Sequence, residues 1–494
     1  MSMGRRKPTQ PSMWVTHDEL PVGPGHRFYE KLNQLLRGSE FDKNVEELCA
    51  PYFDSDRKPG RRSIAPGVYF RMHLIGYFEG IESERGLEWR CADSMSLRDF
   101  LGIAITQRVP DHSTLSRMRQ RLPLEVHQQA FGLILGIVNQ KGLLKGRVLG
   151  VDSTYLRADA SMKTIVRRDT KESYPDYVKR LAKEAGIENP TDEDARRLDR
   201  KRKGKKTSNM DWMSRTDTDA RIAKLKDGRT RLAYKPEHVV DLETGAIVGV
   251  QVHKADQADT ATVEESLETA RRNLESQGVG DERQDERDPA AGTGAPQEGP
   301  AEATTRQPPA LVADKGYSKA AVLRRLKEKG YRTYIPERLH KGYRRWTDKG
   351  GAKTAAAFYQ NRARVRRAKS KRLQRLRGEK LERTFAHVCE TGAARRTRLR
   401  GRENVEKRYL LQVAAANLGL VMRSLFGLGT PRGWGERLQT LIAAILGRFW
   451  RPLASCGYRV AINLHAGSLV AKSLCSSCCD LSLPLANAAL AETV

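Results

Sequence analysis

Two aspartates end short apolar runs. Asp152 follows Val148, Leu149 and Val151 in "GRVLGVDSTYL", and Asp314 follows Leu311, Val312 and Ala313 in "ALVADKGYS". Both runs read as strands. In an open α/β sheet, ligands collect beyond the carboxyl ends of the strands. The two acids are 162 residues apart in the chain, and they converge if their strands are neighbours. Paired carboxylates resist joint ionisation unless a cation lies between them. Mg²⁺ suits such a pair, because it prefers oxygen and is bound by one or two carboxylates plus substrate phosphate. The chemistry expected is metal-assisted work on a phosphate, with Mn²⁺ as a substitute ion.

A third acid is expected from the helix after the last strand. The segment "RLQRLRGEKLERTFAHVCETG" offers Glu379, Glu382 and Glu390. Residues 362–383 hold eleven Lys or Arg against two Glu, so an acid here stands out. Glu382 is the choice: it adjoins Leu381 and precedes Phe385 by three, at the edge of the apolar face. Glu379, one turn earlier, is the alternative. Spacing alone also allows both to neutralise neighbouring arginines on a solvated helix.

Around these acids the chain is strongly basic. In 494 residues, 89 Lys and Arg face 60 Asp and Glu, a formal charge of +29. A polyanion is the expected partner, since Lys and Arg contacts to phosphate drive sequence-independent binding of nucleic acid. The opening "MSMGRRKPTQ" lacks the apolar core of a secretory signal. The late stretch "LQTLIAAILGRFW" is too short to span a bilayer, so no membrane role is expected. Seven cysteines at irregular spacing fit a reducing cytoplasm better than a disulfide framework. A cytoplasmic protein is expected. "CSSCC", with Cys475, Cys478 and Cys479, holds half a zinc site; Cys456 and His465 could complete one on paper, but no convincing second pair lies nearby and zinc is not the expected cofactor.

The elements that must position the acids follow from pattern. Residues 1–25 read as disordered or extended, and 26–140 as an all-helical N-terminal domain. Within the latter, "RVPDHSTLSRMRQRL" breaks at Pro110. It restarts on a cap at Asp111 or Ser113, giving a basic helix with Arg117, Arg119 and Arg121. Helix, short turn and basic helix outline a helix-turn-helix. Residues 146–426 read as an α/β domain with a polar, flexible insertion at 160–230 and a Gly/Pro-rich one at 277–309. Its order is a strand, a hairpin over "RLAYKPEHVVDLETGAIVGVQVHKAD", a helix, the Asp314 strand, a helix, the strand "YRTYIPE", and a long basic helix over 354–384. This is the order of an RNase H-like mixed five-stranded sheet flanked by helices. Residues 427–494 read as a helical or irregular tail.

The residues "GVDSTYL", "LVADKGYS" and "LERTFAHVCETGAARR" resemble the DDE transposases of bacterial insertion sequences. So does the N-terminal run "RRSIAPGVYFRMHLIGYFEG...SLRDFLG...PDHSTLSRMR". The likeness covers roughly residues 45–425. It implies Asp152, Asp314 and Glu382 as catalytic metal ligands, with Asp152 bridging two Mg²⁺ ions about 3.5 to 4 Å apart. It implies cleavage at element ends by water, then attack of the freed 3′-hydroxyl on target DNA. Partners implied are DNA ends, target DNA and a second copy in a homodimer, with no small-molecule substrate. Arg375 fits the Arg of a Tyr-Arg-Glu-Lys signature found in many relatives only if Glu379 is the acid. The alternatives are an RNase H-like nuclease or resolvase, or a catalytically dead DNA-binding descendant.

Expected DNA contacts are Arg117, Arg119, Lys315, Arg375, Arg377 and Arg383. Lys315 and Tyr317 could touch phosphate or cap the turn. His238, His387 and Trp346 are further candidates for touching substrate, each with a packing role as the plainer reading.

Overall fold

In the computed structural model, the described residues are 26–53, 63–203, 208–225, 227–279, 308–338, 346 and 351–433, with the backbone of 459–462 and 471–474. Seven helices come first: α1 (Arg27–Gly38), α2 (Phe41–Cys49), α3 (Pro66–Glu79), α4 (Glu84–Asp93), α5 (Met95–Leu101), α6 (His112–Arg121) and α7 (Leu124–Gln140). α3 is buried from Tyr69 to Phe78 on every side, because its run "YFRMHLIGYF" is apolar all round. Its one charged member, Arg71, is held by Asp42, Asn33 and the carbonyl of Phe100.

The sheet region follows: β1 (Val148–Ser153), β2 (Leu156–Arg157), β3 (Ile165–Arg167), α8 (Tyr174–Glu184), α9 (Asp192–Lys201), β4 (Trp212–Ser214), β5 (Arg221–Lys224), β6 (Thr230–Asp241), β7 (Ile247–Lys254), α10 (Asp259–Ser276), β8 (Ala310–Ala313), α11 (Ala320–Glu328), β9 (Arg332–Tyr334), α12 (Gly351–Val365), α13 (Ala368–Ala386) and α14 (Arg402–Phe426). The core of the main sheet runs β7-β6-β1-β8-β9, with β2 and β5 added to the two flanks of the long β6. β6 is antiparallel to β1 and β7, whereas β8 is parallel to β1 and β9. This is the expected RNase H-like mixed sheet, preceded by helices.

The two faces of the sheet have separate cores. Leu149, Val151, Leu311 and Ala313 pack with Val263 and Leu267 of α10 and Leu323 and Leu326 of α11. Val312 and Tyr334 pack with Leu373 of α13 on the other face. The alternation along each strand produces this split. α14 packs on α3, α7 and β7, so the helical region and the sheet share one compact unit through Thr430. α14 has the length and hydropathy of a membrane span, but it is buried as a core helix.

Four expectations change. The 354–384 segment is two helices, α12 and α13, parted at Arg366 and Arg367. The 160–230 insertion is ordered over most of its length: α8 and α9 sit beside the β3–β4 pair, where Tyr174 and Tyr177 pack on Trp212. Sparse apolar residues hid that small core. The connection between α5 and α6 spans residues 102–111, too long for a helix-turn-helix turn. Arg119 is buried against Glu84 and cannot meet a phosphate, whereas Arg117 is exposed on the same helix. Asp111 does cap α6: bonds from the Thr114 backbone N–H and the Ser113 hydroxyl pull its carboxyl down to about 2.

Beyond Thr430, a second unit contributes the β10 (Arg459–Ile462) and β11 (Ala471–Leu474) antiparallel pair. Cys456, His465, Cys475, Cys478 and Cys479 lie outside the described residues, as do 280–307 of the second insertion.

Candidate active site

β1 and β8 are adjacent and parallel, with Val151 opposite Ala313. The next residue on each strand is therefore an acid, so Asp152 and Asp314 leave the sheet side by side at its carboxyl end. The side-chain period of two aims Asp152 at the face covered by α13.

α13 reaches that face because Gly150 leaves room. A Cβ there would meet Leu242 at 2.5 Å and Leu381 at 3.1 Å. The helix is then pinned at two points. Gln374 Nε2 donates to the carbonyls of Ala313 (3.2 Å) and Tyr334 (2.7 Å), and Leu381 is fully buried. Between them Arg377 Nη1 donates to Asp152 Oδ2 at 2.9 Å. Asp152 Oδ1 accepts from the Ser153 backbone N–H at 2.8 Å. Burial raises the Asp152 carboxyl above its usual range and Asp314 adds to this, while the Ser153 N–H and Arg377 pull the other way.

Asp314 starts a short 3₁₀ turn, and its Oδ1 accepts from Gly316 N at 2.6 Å. The turn is tied down from both sides. Tyr317 is fully buried and donates to Glu237 Oε1 at 2.7 Å. Arg338 donates to the carbonyls of Lys315 (3.0 Å) and Gly316 (2.6 Å). Glu237 is itself buried, accepts from Thr262 and Ser266 of α10, and has its carboxyl raised by that burial. Tyr317 therefore anchors the turn and does not face substrate; Lys315 is exposed.

A further acid, missed in the sequence, borders this opening. Asp259 is the first residue of α10, and its Oδ1 accepts from buried Lys235 (3.1 Å) and from Ser153 Oγ (3.2 Å). Its Oδ2 and Asp314 Oδ1 lie 2.8 and 2.7 Å from where a Cβ on Gly316 would stand. The absence of that Cβ keeps a small oxygen-lined space open between the two carboxylates. In "HKADQADTATVEES" Asp259 reads as an ordinary helix-starting acid. Its position after the strand-to-helix connection from β7, which only β6 separates from the Asp152 strand, was the available signal.

The glutamates of α13 stand elsewhere. Leu373, Gln374, Arg377, Leu381 and Thr384 share the sheet-facing side, so Arg377 is the residue presented to Asp152. Glu382 lies further along the helix, exposed. Glu379 is exposed and paired with Arg383 at 3.2 Å. Among the described residues no group of three or more His, Cys, Asp or Glu is arranged to hold a metal. The pair Asp152 and Asp314, with the space beside Gly316, nevertheless offers the hard oxygen donors that suit a divalent cation.

Of the expected DNA contacts on this helix, Arg375 and Arg383 are exposed, whereas Arg377 is committed to Asp152. His238 is fully buried, bonded to Tyr409 at 2.9 Å and stacked on Phe385, and burial lowers it to about 3. It is a packing histidine. His387 is partly buried, and burial lowers it to about 4. Trp346 packs against Phe358 and Tyr359.

Comparison with known families adds two matches. Residues 17–121 match a family described as a transposase domain (DUF772), and residues 203–418 match one described as a transposase DDE domain. The second includes Asp314 and all of α13. Asp152 lies between the two, so its place in the site comes from the register of β1 and β8. No curated protein and no solved structure matches the chain. The two matches occupy most of the chain from 17 to 418, in the order helical region then RNase H-like sheet, and the chain belongs to the DDE transposase family.

Proposed function

We propose that this transposase cuts DNA at the ends of an insertion sequence and joins the freed 3′ ends to target DNA, with Asp152 and Asp314 as the central acids of the site. The observation that carries the proposal is the parallel register of β1 and β8, which sets these two carboxylates side by side. The family generally uses a divalent metal. Asp152 and Asp314 would hold Mg²⁺ here, and the ion would supply an activated attacking oxygen and stabilisation of the leaving 3′-oxygen.

The chain's own residues do the rest. Arg377 supplies counter-charge to Asp152 in the absence of the ion. Lys235 and Ser153 hold Asp259, which keeps the end of β1 close to the Asp314 turn. Glu237 and Tyr317 fix that turn from behind. Glu382 is the third ligand we assign on the family motif alone, since α13 without the ion turns Arg377 rather than Glu382 toward Asp152. Unlike Glu379, Glu382 has no ion-pair partner among the described residues. Two element ends are paired by two copies of the chain, and the protein works on the nucleoid of a bacterial cytoplasm.

The test is cleavage of supercoiled DNA carrying the element's own ends, with Mg²⁺ and with EDTA. Wild type should nick only with the metal. Asp152→Asn should bind the same DNA and leave it uncut, because contacts that position DNA are separate from the metal ligands. Cutting by Asp152→Asn at the wild-type rate would sink the proposal.

A further inference from the structure

A second charged feature lies outside the acid site. Beyond β1 the chain runs on through Thr154 and Tyr155 into β2, which pairs with β6 so that Arg157 stands opposite Ala233. The segment after α13 then adds itself to β2. Arg157 N–H donates to the Arg395 carbonyl at 3.1 Å, and Thr397 N–H donates to the Arg157 carbonyl at 2.9 Å. This main-chain pairing gathers Arg157, Arg231, Arg396 and Arg398 into one patch, and the resulting crowding of cations helps to lower the Arg157 guanidinium from its usual value, after burial.

The patch is only partly neutralised. Asp159 holds both Arg396 and Arg400, and Glu82 holds Arg398. Arg157 and Arg231 have no carboxylate within ion-pairing distance among the described residues, although each is partly buried. Folding brings like charges together here at a cost, and a bound polyanion is the partner that would offset it. The patch lies on the α10 side of the sheet, opposite the face on which Asp152 meets α13, and its link to the acid site runs through Asp259. Glu237, Lys235, Ala233 and Arg231 lie on one face of β6 at the period of two, the face on which Lys235 meets Asp259. Arg157 is five residues beyond Asp152, at most about 18 Å away. That is about five base pairs of B-form DNA.

We propose that Arg157 and Arg231 form a phosphate-binding site for the DNA duplex flanking the scissile phosphate. The inference rests on the reading that the chain acts on DNA. It requires neither metal binding nor cleavage.

The test uses the full chain carrying Asp152→Asn, so that no DNA is cut, and a 30-base-pair duplex of mixed sequence. Affinity is measured across a salt series. Arg157→Gln with Arg231→Gln should weaken binding about tenfold at moderate salt and lower the log–log salt slope by about 2, one unit for each lost phosphate contact. Arg157→Lys with Arg231→Lys keeps the charge and should retain most of the slope. A control pair, Arg180→Gln with Arg271→Gln, removes two exposed arginines held by carboxylates on α8 and α10. An unchanged slope in the first variant overturns the proposal. So does an equal loss in the control, which would mean that net charge alone matters, or failure of the lysine pair to restore binding, which would mean that the arginines only hold the fold. A failure of the acid-site reading appears separately, as wild-type cutting without Asp152.

Discussion

Arg377 on α13 donates to Asp152 at 2.9 Å across 225 positions of sequence. The bond joins the first strand of the sheet to a helix that follows the last one. It places a cation where a metal ion would otherwise balance Asp152. The carboxyl is nonetheless raised overall, because burial outweighs the help from Arg377.

Removing a cation beside a partly buried carboxylate raises its pKa further. Cleavage requires ionised Asp152, so activity is lost as pH falls through that pKa. In Arg377→Gln the acid limb of the pH–rate profile should move to higher pH by about one unit. An acid limb at the wild-type position would show that Arg377 does not tune Asp152.

Gly316 controls the space between Asp314 and Asp259. An added methyl would press on both carboxylate oxygens, at 2.7 and 2.8 Å. Gly316→Ala should reduce Mg²⁺-dependent cleavage by about 10²-fold, the scale of a 1 Å misplacement at a reacting centre. DNA affinity should stay within about twofold, since the phosphate contacts proposed here lie elsewhere. Parallel cleavage and anisotropy measurements check this.

The third acid is decided by comparing two glutamates on one helix. Glu379 is tied to Arg383, and Glu382 has no such partner among the described residues. Glu382→Gln should abolish cleavage and leave DNA binding intact. Glu379→Gln should keep cleavage within about threefold, because an exposed ion pair contributes little. The reverse pattern would move the assignment to Glu379.

Glu406 on α14 offers a stability test away from the site. It is buried beside Arg402, and burial raises its carboxyl from 4.5 to about 7. The folded state therefore binds more protons than the unfolded state between these values. The stability this contributes is fully present below about 4.5 and is lost as pH rises through 7. Glu406→Gln removes that dependence. Its advantage over wild type should grow by up to about 3 kcal/mol between pH 5 and pH 8, read by denaturant unfolding. A constant difference across that range would contradict the assignment.

Much of the scaffold was legible because its signals are local. The apolar runs ending in Asp152 and Asp314 form β1 and β8, and "ETGA" marks the β6–β7 turn. Asp111 caps α6 because its side chain is spaced to reach the Thr114 N–H. The basic balance and the family motifs agree with the transposase matches.

Other features depend on groups distant in the chain. Whether an arginine is a DNA contact or a buried partner is settled by what faces it: Glu84 claims Arg119, and Asp152 claims Arg377. The helical phase of α13 is set where Gly150 admits Leu381, and that phase turns Arg377, rather than either glutamate, toward Asp152. Asp259 gained significance only when Lys235, Ser153 and the Gly316 turn closed around it. The sequence by itself determined which strands end in acids and how much positive charge surrounds them, since both follow from residue type and near-neighbour spacing. Tertiary structure alone decided which charges meet, because a pairing across 225 residues is set by sheet register and helix phase and leaves no periodic trace in the chain.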